Sequence, residues 1–321
     1  MRILGALAAA LPLLLMPAPV AAQDFPTKPI KLIVPFPPGG PNDIIARVVG
    51  QRMTELTKQP IIIENRSGQA GVLGTDAVAK ATPDGYTIGI VSASALVINP
   101  FMEKTPYDVN KDIAPVTLNV TVPEMLVVAS NVPANNMAEL IALAKAQPGK
   151  LNFASAGIGG LPHLAGELFK LTAKIDIVHV PYRGAAPASQ DLVAGHVSML
   201  FDIVPLAVSN LQSGKVRALA VCAPERVKVL PDVPTIAEAG LPGMEAGAWF
   251  GLFAPAGTPP GAIAWMNGEA KKAFDVSDTR DRFAGQGALL PLGPPEAFGA
   301  HVAAETERWG ALIRRAGIKV E

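Results

Sequence analysis

The stretch that decides the fold is PIKLIVPFPPGGPNDIIARVVG, residues 29–50. Its first part, residues 30–36, is a short run of Ile, Leu and Val that predicts a buried β-strand. Apolar residues then recur with helical spacing over residues 41–57, which predicts an amphipathic helix with Asn42 or Asp43 as its cap. The Pro and Gly residues between them are typical of a tight turn. A strand followed closely by a helix is the first half of a βαβ unit.

The same alternation of short apolar runs and helical periodicity continues along the chain. Residues 99–121, rich in Pro, Asn and Asp, are expected to be irregular. Such alternation predicts an α/β fold with parallel-rich sheets and right-handed crossovers. The predicted strands are residues 30–36, 60–64, 86–91, 125–129, 151–154, 176–180, 197–201, 216–221 and 249–254. The predicted helices are residues 41–57, 72–81, 136–146, 161–172, 185–194, 261–273 and 295–316.

Two consecutive α/β units followed by a long C-terminal return predict two lobes joined by crossing strands. We place these crossings near Leu126 and Phe250. The predicted lobe 1 comprises residues 23–125 and 250–321, and the predicted lobe 2 comprises residues 126–249.

The N-terminus predicts export from the cytoplasm. Arg2 is followed by an apolar run at residues 3–15 and by small residues that end at Ala22. This order is typical of a secretory signal peptide, residues 1–22, cleaved after Ala22. The run is short for a membrane span and Pro12 interrupts it, although an uncleaved anchor is the alternative. We therefore expect a periplasmic mature protein.

Composition and motifs exclude several classes of function. The chain has 27 basic and 27 acidic residues, and no run of Lys and Arg exceeds two, so nucleic-acid binding is not expected. The single cysteine, Cys222, follows an apolar strand and is predicted to be a buried core residue. The four histidines lack the spacing of metal ligands, so neither a metal nor a cofactor is predicted.

Motifs of common enzymes are missing as well. The chain contains neither a Gly-x-Ser-x-Gly nucleophile elbow nor a Gly-x-Gly-x-x-Gly dinucleotide fingerprint. We therefore expect a binding protein and not an enzyme. A secreted α/β hydrolase is the alternative, with Ser155 as nucleophile, but the sequence shows no evident base beside it.

Ligands of open parallel sheets bind beyond the carboxyl ends of the strands. After the first strand, residues 35–43 contain Gly39 and Gly40 and run into a helix start, where free N–H groups and partial positive charge favour an anion. The alternative is a plain tight turn in which Asp43 caps the helix.

Further candidates follow later strands. Residues 155–160 form a second Gly-rich loop before the helix that contains His163, whose ring we expect to support the turn. Two such loops in equivalent positions can face each other across a cleft. The remaining candidates, for each of which an ordinary turn or cap is the alternative, are Ser94, Tyr182 with Arg183, and Asp202.

Several motifs occur in an order and spacing that resembles one family over essentially the whole mature chain. They are PIKLIVPFPPGG (29–40), ENR (64–66), PDGYT (83–87), PYD (106–108), KLNFASAG (150–157), HVPYRG (179–184), PDVPT (231–235), WFGL (249–252) and APAGTP (254–259). The chain resembles the Bug/TctC family, the extracytoplasmic solute receptors of tripartite tricarboxylate transporters.

The resemblance implies a two-lobed periplasmic binding protein of the Venus flytrap type, type II-like. It implies that a small carboxylate ligand is held at the first loop by backbone groups and ordered water, with further contacts from the second loop. The partners implied are the membrane subunits of a tripartite transporter, with a sensor kinase as the alternative, and we expect a monomer. The ligand-binding residues carried over by position are Phe36, Gly39, Gly40, Asp43, Ser94, Ser155, Gly157, Gly160, Tyr182 and Asp202.

The chain departs from the family pattern at two positions. Gly160 stands where family members often have Ser or Thr, so only its backbone N–H remains. Pro41 replaces a residue with a free amide and removes one donor. The two departures argue against a typical dicarboxylate or amino-acid ligand, and the space freed at Gly160 suits a bulkier or more apolar one.

Overall fold

The computed structural model of the chain describes residues 25–182 and 185–318. The predicted signal peptide, its cleavage after Ala22, and Arg183 lie outside these residues. Within them, no helix combines the length and the apolar character needed to cross a membrane.

Strands and helices alternate along most of the described chain. The strands are β1 (Ile30–Val34), β2 (Ile61–Asn65), β3 (Thr87–Ser92), β4 (Ile113–Ala129), β5 (Asn152–Ser155), β6 (Val178–Pro181), β7 (Met199–Ile203), β8 (Val216–Val221) and β9 (Gly247–Pro255). The helices are α1 (Pro41–Thr57), α2 (Val72–Ala79), α3 (Asn99–Met102), α4 (Val109–Asp112), α5 (Met137–Ala146), α6 (Leu161–Ala173), α7 (Ala185–Ala194), α8 (Val204–Leu211), α9 (Pro260–Asp275), α10 (Ser277–Ala284) and α11 (Pro295–Ala316).

The strands form two sheets that share β4. In the first sheet, β1 pairs in parallel with β2 and β3, and the antiparallel β9 lies between β3 and β4. In the second, β5 pairs in parallel with β6 and β7, while β7 and β8 are antiparallel neighbours of β4. This mixed α/β architecture, with helices packed on the sheets, agrees with the predicted fold class.

The chain passes between the sheets on β4 and returns on β9. Residues 113–123 of β4 pair with β9, whereas residues 124–129 pair with β7 and β8, so the partners change between Pro123 and Glu124. The return begins where Gly247 pairs with Pro123. The exact division of the lobes near Leu126 and Phe250 stays a prediction.

The prediction of an irregular segment over residues 99–121 is wrong in its second half, because β4 begins at Ile113. Pro115 has no N–H for the ladder, and the register with β9 shifts on both sides of Thr117 and Leu118. Such bulges disturb the alternation that identifies a strand in a sequence. Helices α8 and α10 were not predicted either.

A buried carboxyl lies where the chain changes sheets. Glu124 is fully buried, and neither oxygen of its carboxyl has a hydrogen-bond partner among the described residues. Burial, reinforced by the nearby Asp202, raises the pKa of Glu124 well above 4.5. The side chain is therefore neutral in the folded protein near pH 4.5. Cys222 is buried and unpaired here, as predicted.

Helix α11 covers the crossing strands with aromatic side chains. The Nε1 groups of Trp249 and Trp309 donate to the same carboxylate oxygen of Glu305, at 3.3 and 2.9 Å. Phe298 packs edge-on against Trp249, with ring centroids 5.7 Å apart, and sits above Gly251 of β9. These contacts tie the C-terminal helix to the strand on which the chain returns.

Candidate functional site

A cavity of about 600 Å³ lies between the loop after β1 and the start of α6. Its size is within the usual range for a small-molecule site. Four of the predicted ligand-binding residues line it, namely Phe36, Gly40, Ser94 and Gly160. Sequence reasoning missed Asn42, Ile98, Leu161, Ala248 and Phe250, which also line it.

The loop after β1 is held in place by Asp43. One carboxylate oxygen accepts from Arg47 Nε at 2.8 Å and from Gly39 N at 2.9 Å, and the other accepts from Asn65 Nδ2 at 2.9 Å. Asn65 Nδ2 also donates to the carbonyl of Phe36 at 3.0 Å. The hydrogen bond from Arg47 lowers the pKa of Asp43 to about 2 despite its burial. Both oxygens of Asp43 thus have partners within the protein.

The N-terminus of α1 opens onto the cavity. Gly40, and not Asn42 or Asp43 as predicted, is the N-cap, in extended backbone and without a side-chain cap. The first amides of a helix have no intrahelical acceptor and carry partial positive charge, which suits an anion. Pro41 removes one of these donors.

Two serines and an asparagine complete a polar corner beside this helix start. The hydroxyls of Ser92 and Ser94 lie 3.1 Å apart where β3 ends. Asn42 is buried, and its Nδ2 donates to the carbonyl of Ile90 at 3.2 Å. This corner presents hydroxyl and amide groups to the cavity from one side.

The buried Ser155 side chain supports the second Gly-rich loop through hydrogen bonds. This side chain is fully buried; its hydroxyl donates to the carbonyl of Gly157 at 3.0 Å and lies 2.7 Å from His179 Nε2. The expectation that no base lies near Ser155 is therefore wrong, because the imidazole comes from β6, 24 residues along the chain. The buried hydroxyl does not line the cleft cavity, so this contact supports the loop.

His163 supports the same loop, as predicted. The amide of Gly159 donates to His163 Nδ1 at 3.0 Å. The rings of His163 and His179 stack with their centroids 3.9 Å apart. The ring of Phe153 stacks on His179, with a centroid distance of 4.9 Å. Burial lowers the pKa of both histidines from 6.5 to about 4, so both are neutral near pH 7.

We expect this pair to make the protein less stable in mild acid. The unfolded histidines take up protons below pH 6.5, whereas the folded ones do so only near pH 4. Stability is therefore fully present above pH 6.5 and declines as the pH falls toward 4. Of the charged residues on α6, Glu167 raises the pKa of His179 and Lys170 lowers it. Taken alone, the pair should lower the melting temperature by roughly 5 °C or more between pH 7 and pH 5. The raised pKa values of Glu124 and Asp202 act in the opposite direction, so the effect of the pair is measured as the difference between the unaltered protein and a variant that lacks both rings.

A double variant tests the source of this pH dependence. His163→Asn with His179→Gln keeps an acceptor or donor near each hydrogen-bonded nitrogen but removes both titrating rings. It should flatten the decline, whereas His196→Gln, at an exposed imidazole, should leave it unchanged. An undiminished decline in the double variant would show that other groups cause it.

The remaining predicted residues lie away from the cavity lining. Tyr182 donates its hydroxyl to Asp191 at 2.5 Å and its amide to the carbonyl of Ser155 at 2.9 Å. Desolvation and the hydrogen bond to Asp191 raise the pKa of Tyr182 to about 12. Asp202 is buried on β7, its Oδ2 has no partner among the described residues, and burial raises its pKa to about 6.

No group of three or more His, Cys, Asp or Glu side chains within residues 25–182 and 185–318 is placed to hold a metal ion. The polar groups that the cavity offers are backbone amides, hydroxyls and one carboxamide. Such groups recognise an uncharged or anionic ligand by hydrogen bonding.

Comparison with known proteins assigns the chain to a family. Residues 45–318 match the family model described as the tripartite tricarboxylate transporter family receptor, TctC. Protein BugT of Bordetella pertussis is 38% identical over 306 residues, which cover 95% of this chain and 94% of BugT. A solved R. palustris protein with adipate is 35% identical, with a TM-score of 0.74, and the match covers 92% of this chain and 100% of that one. MatC from Rhodopseudomonas palustris with bound malate is 37% identical, with a TM-score of 0.70 and coverage of 90% and 100%. The chain belongs to the TctC family of tripartite tricarboxylate transporter receptors.

Proposed function

We propose that the protein is a periplasmic solute receptor that captures a small carboxylate-bearing anion in its cleft and delivers it to the membrane subunits of a tripartite transporter. The observation that carries this proposal is the cavity at the start of α1, which residues near the start of α6 line from the other side. The adipate and malate bound by two relatives are both carboxylates, which supports the same class of ligand here.

We infer that the ligand carboxylate binds at the polar corner formed by Gly40, Asn42, Ser92 and Ser94, which all line the cavity. Among the predicted ligand-binding residues, we propose that Phe36 forms a wall at this end and that Gly39 and Asp43 shape the loop. Ser155 and Gly157 shape the opposite loop, Tyr182 is hydrogen-bonded to it, and Asp202 lies on β7 opposite Met125 of β4.

Capture is proposed to work by closure of the two sides over the ligand. The crossing strands β4 and β9 join the two sheets, and they provide the place about which the sides can move. A ligand stabilises the closed form only by the extra contacts that it makes there, so closure is a shift in population. The closed form is then the one that the membrane subunits recognise.

The Gly40→Val variant tests this location of the site. A Cβ atom at Gly40 meets only the carbonyl of Pro37, at 3.6 Å, and φ is −80°, so the backbone accepts a side chain. The added methyl groups would occupy the cavity and should weaken carboxylate binding at least about tenfold, with little change in melting temperature. Titration calorimetry with a panel of mono- and dicarboxylates, after refolding from urea to remove bound ligand, measures this.

The matched control is Gly261→Val, an exposed glycine in the first turn of α9 with nothing within 4 Å of its added Cβ. It should bind as the unaltered protein does. If Gly40→Val bound equally well, the site would lie elsewhere. If no carboxylate bound to the unaltered protein, the proposed function would be wrong.

A further inference from the structure

Away from the polar corner, the walls of the cleft cavity are apolar. The side chains of Phe36, Pro37, Pro38, Ile98, Leu161 and Phe250 line it. None of the described residues that line it carries a charge. The cavity can therefore solvate a hydrocarbon body well and a second anion poorly.

The polar corner has the capacity for one carboxylate. The amide Nδ2 of Asn42 is already donated to Ile90, and the hydroxyls of Ser92 and Ser94 contact each other. What remains is the second N–H of Asn42, one hydroxyl hydrogen of the serine pair and the start of α1, where Pro41 removes one donor. These donors lie together at one corner, where they can serve a single anionic group.

The opposite loop uses three of its glycine amides within the protein. The amide of Gly159 is donated to His163, that of Gly160 to the carbonyl of Gly157, and that of Gly157 to Ser155. Pro162 lies at the second position of α6 and has no N–H. At this end, the cavity wall consists of the Leu161 side chain and of Gly160, which offers no hydroxyl.

We propose that the ligand is a monocarboxylate with an apolar alkyl or aryl body, and that a second carboxylate weakens binding. This inference rests on the proposed function and narrows its class of ligand. An ionised group with no cation beside it loses its hydration against the apolar walls when the cleft closes. A methyl or phenyl group at the same place gains from leaving water.

Hexanoate and adipate form the sharpest pair of probes, because they share a six-carbon chain and differ only at one end. Titration calorimetry at pH 7.5 on the refolded, ligand-free protein should show hexanoate binding at least about tenfold more tightly than adipate. Benzoate should likewise be preferred to malate. Equal or tighter binding of the dicarboxylates would overturn this inference and leave the proposed function standing. Binding of none of the four would overturn both.

The Gly160→Ser variant tests the apolar end of the cavity. Its backbone has φ −70°, and a Cβ atom would lie 3.4 Å from the carbonyl of Gly157, so the residue fits. The new hydroxyl offers a donor, and the preference for hexanoate over adipate should fall about tenfold. Gly261→Ser, outside the cleft, should leave the preference unchanged. An unchanged preference in Gly160→Ser would overturn the placement of the ligand's far end against this wall.

Discussion

The Gly251→Val variant should lose about 3 kcal/mol or more of its free energy of unfolding, because the position has no room for a side chain. A Cβ atom at Gly251 would lie 2.0 Å from Cζ of Phe298, a side chain that is itself 1% exposed. Phe298 cannot move aside freely, since Trp249 and Phe253 pack against it at 5.7 and 4.8 Å. Urea unfolding followed by circular dichroism measures the loss.

A glycine with open surroundings provides the comparison. Gly268 lies inside α9 with nothing within 4 Å of an added Cβ, so Gly268→Ala should gain about 0.5–1 kcal/mol through helix propensity. A second variant, Phe298→Ala combined with Gly251→Val, should be less destabilised than the sum of the two single changes. If Gly251→Val unfolded at the same urea concentration as the unaltered protein, the packing of α11 on β9 would be other than described.

The Glu124→Gln variant should be more stable than the unaltered protein at and above neutral pH and equal to it near pH 4.5. The pKa of Glu124 is raised in the folded state, so unfolding releases a proton above pH 4.5 and stability falls as the pH rises. Glutamine has nearly the same shape as the protonated acid and cannot ionise. The difference should widen by up to about 1.4 kcal/mol per pH unit until the folded pKa is reached.

Glu305 is the matched control because it is buried but has partners. Its carboxylate accepts from Trp249 and Trp309 and lies 2.8 Å from Arg308 Nη2. Glu305→Gln should therefore lose about 2 kcal/mol at pH 7.5, the opposite sign from Glu124→Gln. Urea unfolding at pH 4.5, 6 and 7.5 measures the free energy of unfolding of both variants and of the unaltered protein. A loss of stability in Glu124→Gln at pH 7.5 would show that its carboxyl is ionised and paired.

Regular periodicity made most of the fold predictable from the sequence. Helices α1, α7 and α11 begin and end at the predicted residues, because each has a proline or turn residue close to its start and an apolar face that ends sharply. The first half of β4 was missed because its bulges and Pro115 remove the alternation of a strand. The eight-residue helix α10 was missed because charged residues dominate it.

The site was predictable only where it is local in the sequence. Two glycines before a helix identified the loop that contains Gly40, and a motif in the second unit identified Gly160. Phe250 comes from β9, more than 200 residues after the first loop, and only the pairing of β9 with β3 brings it to the cavity. The contact of Ser155 with His179 likewise depends on the parallel pairing of β5 with β6.

Trp249 gives the protein a built-in optical reporter. Its indole is 1% exposed, lies on the returning strand where the sheets meet, and donates to Glu305 of the C-terminal helix. Any bending of that strand changes the distance to the carboxylate and the polarity around the ring. The intrinsic fluorescence should therefore shift when a ligand is captured, without any attached dye.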